Sequence, residues 1–335
     1  VSATTLERIF AEAPPAVVLN ATSFAVSSPD PGAWAGERVP TELDAPGAPV
    51  LQVVVSGGAE AAWAESDRGL TARDIAMNVA LPEVDGRLLS RAISFKSQAY
   101  FDEATQCAIA AYRARGDRVQ FVADLAANWA RLARTPEADR RVALILANYP
   151  NTDGRLANGV GLDTPAATVG VLKELKDAGY RVEKHPETSD DLMRAVLSGP
   201  TNWLTDRAER EGGERLSLAD YRRAYDALPL EVRVQVEDRW GPPDADPFCD
   251  GAGFALSILR YGNAVVGIQP ARGYNIDPTD TYHAPDLVPP HNYFAFYLWL
   301  RLSFGAHAIV HMGKHGNLEW LPGKAVALSE TCFPE

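Results

Sequence analysis

Residues Val142-Ala143-Leu144-Ile145-Leu146-Ala147 form an unbroken apolar run. A strand with one wet face alternates apolar and polar residues. This run does not, and it reads as a strand of a parallel sheet. Residues 148–161 follow as a polar, glycine-containing loop. Asp163-Thr164-Pro165 then supplies an N-cap and a proline at the first helical position. Val169, Leu172 and Leu175 make an apolar stripe opposite Lys173, Glu174, Lys176 and Asp177. Gly179 stands where a C-cap glycine belongs, and residues 180–183 are expected to be the next strand. Strand, helix and strand in that order make a βαβ unit. The expected fold class is therefore α/β and multi-lobed: parallel-sheet βαβ units, helices on both faces, and a helical insertion.

At 335 residues the chain exceeds one ordinary core. Residues 1–136 read as an incomplete α/β lobe. Residues 17–19 and 50–55 are expected strands, and residues 27–49 a surface loop. Residues 70–80, 99–115 and 121–134 are expected helices. Thr135-Pro136-Glu137 marks the boundary. Residues 137–335 read as a second α/β lobe, with a charged helical insertion or lid at about 198–240. Residues 253–270 are expected to hold two strands joined at Tyr261-Gly262-Asn263, residues 290–304 a helix, and residues 306–311 a strand. The chain starts at Val1 and stops soon after its richest motif, so an internal fragment of a longer polypeptide is expected.

Composition removes several classes. The formal net charge is −12, from 32 Lys and Arg against 44 Asp and Glu. That balance argues against nucleic acid and against an anionic membrane surface. The most apolar run, residues 293–300, ends at Arg301, far short of the roughly 20 residues a spanning helix needs. No transmembrane segment is expected. Three cysteines without a Cys-x-x-Cys pair argue against a disulfide framework or zinc ribbon. They fit a reducing, cytoplasmic location.

Histidine placement carries the chemistry. Five of six histidines lie between His283 and His315. His307, His311, His315 and Glu319 recur at intervals of four, which puts neighbours on one face of a helix or of a strand. Gly313 and Gly316 interrupt a helix. His315 and Glu319 are therefore expected on a loop beyond the C-terminal end of the strand, where open α/β sheets bind ligands. Imidazole and carboxylate suit Co²⁺ or Zn²⁺ and also proton transfer near neutral pH. His311, His315 and Glu319 are thus the candidate catalytic residues and transient metal ligands. Each of them alone also fits an ordinary surface or core position. His185 reads as surface.

Other motifs stay open between two roles. Arg272, in Gln269-Pro270-Ala271-Arg272-Gly273-Tyr274, clamps a carboxylate or caps a loop carbonyl. Lys314 and Lys324 meet anionic groups or are solvated. Phe294, Phe296, Tyr297 and Trp299 form a core stripe or a wall for a flat ligand. Asn158-Gly159-Val160-Gly161 lacks the third glycine of a dinucleotide fingerprint, and Gly323-Lys324-Ala325 is not a P-loop. No nucleotide site is expected on this chain. The Gly-x-Ser-x-Gly and His-Glu-x-x-His patterns are absent as well. A zinc hydrolase built on His311, His315 and Glu319 is the weakest alternative.

His311-Met312-Gly313-Lys314-His315-Gly316-Asn317-Leu318-Glu319-Trp320-Leu321-Pro322-Gly323-Lys324 resembles the signature of the cobaltochelatase large-subunit (CobN type) and magnesium-chelatase H-subunit family. Residues 158–165, Gln269-Pro270-Ala271-Arg272-Gly273 and Asp286-Leu287-Val288-Pro289-Pro290-His291 support it. The likeness is dense from about Val142 onward and weaker before. Lys314, Asn317, Trp320, Leu321 and Ala325 favour the cobalt branch over the magnesium branch. The resemblance implies a subunit that binds a metal-free tetrapyrrole, hydrogenobyrinic acid a,c-diamide, and inserts Co²⁺, the metal being a substrate. It implies separate AAA+ partners of the CobS/CobT type that hydrolyse ATP-Mg²⁺. It also implies Arg272, Lys314, Lys324 and His291 as substrate-binding residues, and Glu319 as base or transient ligand with His315 and His311 beside it. A magnesium chelatase acting on protoporphyrin IX and a non-catalytic tetrapyrrole- or metal-binding module are the alternatives.

Overall fold

The structure is a computed structural model. It describes residues 3–27, 41–44, 46–148, 153, 156–159, 161–203, 210, 212–273, 286–316 and 318–335. Much of the expected loop at 27–49, as well as His283, Tyr274 and Asn317, lies outside the described residues.

The chain divides into two compact units. The first is Val1–Arg134 with Gly323–Phe333 and Glu335; the second is Thr135–Pro322 with Pro334. The tail thus departs from the expected split, which kept all of 137–335 together. Specific bonds hold it in the first unit. Trp63 Nε1 donates to the Ala327 carbonyl at 2.8 Å, and Arg118 donates to both Glu335 carboxylate oxygens at 2.7 and 2.8 Å.

The first unit holds helix α1 (Ala3–Glu12) and a sheet of β1 (Val18–Asn20), β2 (Val50–Ser56), β3 (Leu88–Asp102) and β4 (Cys107–Ala114), in that order. β1, β2 and β3 run parallel, and β4 returns antiparallel to β3. Helix α2 (Glu60–Glu65), a helical stretch at 72–84 and helix α3 (Gly116–Arg134) pack around it. Val54, Trp63, Leu70, Ala92, Phe95 and Ala327 form its core.

The helix expected at 99–115 is instead the hairpin of β3 and β4. Alanines and the Asp102-Glu103-Ala104-Thr105-Gln106 stretch suit a helix locally. In the fold, Asp102 accepts from the Ala104 and Thr105 amides at 2.9 and 3.0 Å, and Gln106 takes a positive φ of 50°. That makes a turn, and β3 supplies the ladder that decides the matter.

In the second unit β5 (Val142–Leu146) is buried at every position. Helix α4 (Thr164–Asp177) follows, with the Asp163 side chain accepting from the Ala166 amide at 3.0 Å. Then come α5 (Ser189–Ser198), β6 (Glu214–Ser217), α6 (Leu218–Tyr225), α7 (Leu230–Trp240), β7 (Gly253–Leu256), β8 (Ile258–Tyr261), β9 (Ala264–Ile268), α8 (His291–Leu298) and β10 (Ala308–Met312). The main sheet has the order β8-β9-β5-β10, with β9 and β10 both parallel to β5.

Residues 180–183, expected as the next strand, make only a bridge from Val182 to Gly262. The parallel partners of β5 arrive much later in the chain, after the expected insertion. That insertion is not wholly helical, because β6 pairs antiparallel with β7.

Helices cover both faces of the sheet. Val142, Leu144 and Leu146 pack with Leu172 of α4 and Leu192 and Val196 of α5. On the other face the Phe296 ring of α8 lies so close to Gly267 that a Cβ there would stand 2.7 Å from it. Among the described residues no helix is long and apolar enough to cross a membrane.

Candidate functional site

β5, β9 and β10 are parallel, so their C-terminal ends share one edge. His311 pairs in register with Ile145, and Ile268 with Leu146. Side chains alternate along a strand. His311 therefore lies on the Ile145 face, beneath α8, as does Gln269, one residue past Ile268. α8 presents Tyr293 and Tyr297 to them. His311 Nε2 shares a hydrogen bond with the Tyr297 hydroxyl at 3.2 Å. Gln269 Nε2 donates to Tyr297 Oη at 3.1 Å and to Tyr293 Oη at 3.3 Å. Gln269 is itself held: its amide donates to the Leu146 carbonyl at 2.9 Å, and its carbonyl accepts from Asn202 Nδ2 at 2.8 Å.

Burial sets the electrostatics. Desolvation pushes the His311 pKa below the ordinary value, and the Glu319 charge opposes it more weakly. His311 is thus neutral at neutral pH. Burial likewise lifts Tyr293 to about 12 and Tyr297 well above its usual range.

The loop after β10 returns over His311. A Cβ on Gly316 would stand 2.1 Å from His311 Nδ1, so only glycine lets the backbone lie against that ring. His315 Nδ1–H donates to the Gly316 carbonyl at 2.7 Å and reaches Glu319 Oε1 at 3.3 Å. Both side chains of this pair are 53% exposed. A carboxylate on Nδ1 fixes the imidazole tautomer and leaves the Nε2 lone pair for a cation or a proton. Glu319 sits on a short 3-10 turn, Leu318–Trp320. Among the described residues no three His, Cys, Asp or Glu side chains are grouped to hold a metal ion.

The other expected site residues sort by burial. Arg272 is 7% exposed, and its Nη2 donates to the Trp320 carbonyl. It caps the turn that carries Glu319. His291 is fully buried. Tyr221 Oη donates to its Nδ1 at 2.6 Å, and its Nε2–H donates to the Gly241 carbonyl at 2.9 Å. Neutral imidazole has one donor and one acceptor, and both are used in the core. His291 is thus a core residue of this fold.

Lys324 belongs to the first unit, where Nζ donates to the Ala64 and Ser66 carbonyls at 2.8 and 3.0 Å. It caps the end of α2. Lys314 is exposed beside the His315 loop. His307 does not join His311: its Nδ1 accepts from the Arg141 amide at 2.9 Å, at the start of β10.

A sequence model described as CobN/Magnesium Chelatase matches residues 2–335. The chain belongs to the CobN/magnesium chelatase family. It is 57% identical over 335 residues to an aerobic cobaltochelatase subunit CobN from a Sinorhizobium species, covering 100% of this chain and 26% of that protein. The Pseudomonas aeruginosa subunit of the same name is 48% identical, with 96% and 25% covered. A rice chloroplastic magnesium-chelatase subunit ChlH is 30% identical, with 88% and 20% covered. The solved catalytic subunit of cobaltochelatase from Mycobacterium tuberculosis superposes with a TM-score of 0.82 at 35% identity, covering 100% of this chain and 28% of that one. The chain spans about a quarter of the length of the CobN relatives it matches.

For this family member, sequence reasoning did not find Tyr297 and Gly316 against His311, or Gln269 and Tyr293 in the network behind Tyr297. The signals were present. Gln269 opens the Gln-Pro-Ala-Arg-Gly motif, and Tyr293 and Tyr297 are spaced by four on a predicted helix. Their hydroxyls were hidden in what read as an apolar stripe.

Proposed function

We propose that this chain is a central part of the tetrapyrrole-binding, metal-inserting subunit of an ATP-dependent cobaltochelatase. The reading gives it Co²⁺ and hydrogenobyrinic acid a,c-diamide as substrates, in the cytoplasm, on the aerobic route to cobalamin. ATP hydrolysis falls to AAA+ partners of the CobS/CobT type. The observation that carries it is the His315–Glu319 pair at the C-terminal edge of the parallel sheet, half exposed and beside a neutral His311.

Insertion displaces ring N–H protons and needs an ion that is held loosely enough to leave. A carboxylate-backed imidazole suits both tasks. His315 Nε2 takes a proton or a transient bond to the ion, and Glu319 stabilises the resulting charge. Lys314 faces peripheral carboxylates of the macrocycle. The higher identity to cobalt-type than to magnesium-type relatives favours the corrinoid over protoporphyrin IX.

The test is reconstitution of the full-length subunit with its ATPase partners, supplying the corrinoid diamide with Co²⁺ or protoporphyrin IX with Mg²⁺. Corrinoid-selective insertion that Glu319→Ala lowers by about 100-fold or more is expected. Porphyrin selectivity moves the reading to the magnesium branch. An unimpaired Glu319→Ala enzyme overturns the residue assignment. Quenching of intrinsic tryptophan fluorescence by each macrocycle separates binding from insertion, and saturable binding without insertion means a binding module.

A further inference from the structure

We infer that His311 acts as a positioning residue, locked by Tyr297 and Gln269, which sets the loop bearing the His315–Glu319 pair. This rests on the insertion reading above and departs from treating His311 as a metal ligand.

Both ring nitrogens of His311 are occupied or covered. Nε2 is bonded to Tyr297 at 3.2 Å, and Nδ1 lies against Gly316. A ligand nitrogen must point its lone pair at the ion with nothing between, and neither does so. The ring instead joins two elements. On one side is the Gln269–Tyr293–Tyr297 network, tied to the end of β5 through the Leu146 carbonyl. On the other is Gly316, next to His315, whose Nδ1–H donates to the Gly316 carbonyl at 2.7 Å. The rigid sheet edge thus fixes Tyr297, Tyr297 fixes the imidazole, and the imidazole fixes the loop. Arg272 holds the far end of the same loop through the Trp320 carbonyl.

A proton wire is the competing role for such a chain of hydroxyls. The network closes on itself, however, with Gln269 and Tyr293 buried. The groups facing His311 are Tyr297 from α8, Glu319 from the 3-10 turn and the Gly316 backbone. Of these, Glu319 has the open route to solvent.

The experiment uses the full-length subunit with its ATPase partners and the corrinoid diamide. Tyr297→Phe removes one hydroxyl and keeps the ring. It is expected to lower kcat for insertion about tenfold through misplacement of the pair, with KM for the macrocycle unchanged. Combining Tyr297→Phe with His311→Gln is expected to cost no more than the worse single change, because the two act in series. Gly316→Ala is expected to match or exceed the loss in His311→Gln, and Gly316→Ser to behave like Gly316→Ala. Macrocycle binding, read by tryptophan quenching, is expected to survive in Tyr297→Phe.

Tyr297→Phe at wild-type kcat overturns the inference, and so do fully additive losses in the double variant. A KM rise at constant kcat also overturns it, by making Tyr297 a substrate contact. If the wild-type enzyme inserts no metal into either macrocycle, the underlying reading fails instead.

Discussion

Each unit ends a parallel strand in a polar loop, but the two ends are built differently. At the end of β2, Asp74 is 5% exposed. It accepts from Ser56 Oγ at 2.8 Å, the Gly57 amide at 3.0 Å, Thr71 Oγ1 at 3.0 Å and Asn78 Nδ2 at 3.2 Å. Its four donors are all internal, so the carboxylate is fully engaged and closes the strand end. Beyond β10, Glu319 is half exposed, and its imidazole partner sits at 3.3 Å. A carboxylate whose lone pairs are saturated inside the fold stabilises it. One paired with a half-exposed imidazole and itself half exposed keeps capacity for a proton or an ion. The same residue chemistry is structural in one unit and available in the other, and the number of internal donors decides which.

The sharpest way to break this contrast is to delete each carboxylate and measure both stability and activity. Glu319→Ala is expected to cut insertion by about 100-fold or more. It should leave the urea midpoint nearly unmoved, because exposed pairs contribute little. Asp74→Ala is expected to do the reverse, lowering stability by about 3 kcal/mol by stranding buried donors. Equal destabilisation by the two changes would erase the distinction.

Acid provides a second comparison, between the fully buried His291 and the half-buried His311. Burial holds the folded-state pKa of His291 and of His311 below the ordinary 6.5. The unfolded chain therefore takes up these protons first. Their contribution to stability is present above that pH and is lost as pH falls below it, by up to about 1.4 kcal/mol per pH unit for each. Urea midpoints between pH 7.5 and 5 should fall accordingly, and His291→Gln should flatten part of the slope. An unchanged slope would mean that burial does not hold His291 neutral.

The smallest expected effect belongs to Lys324→Met. Loss of its bonds to the Ala64 and Ser66 carbonyls should cost about 1 kcal/mol, read by thermal or urea unfolding. Macrocycle binding should be unchanged. Weakened binding would return Lys324 to the substrate side.

Much of the second unit was legible along the chain. β5, the capped helix α4 and the strand carrying His311 follow from short-range terms: apolar runs, a carboxylate N-cap, glycine after the last turn. The clustering of His311, His315 and Glu319 at a strand end was legible too, because an even spacing followed by glycines leaves few other places for them. Partner choice was not legible. Residues 180–183 have strand composition but lose the place beside β5 to β9, which lies far later in the chain. Residues 99–115 have helix composition but pair as β3 and β4. The core partners of His291 and Arg272 were not legible either: Tyr221 and Gly241 for one and the Trp320 carbonyl for the other. Propensity, capping and spacing act over a few residues and are written in the order of the chain. Which buried polar group meets which partner depends on contacts between distant segments. For that reason the elements and the motif came from sequence alone, while only the tertiary structure decided which carboxylate and which imidazole remain open.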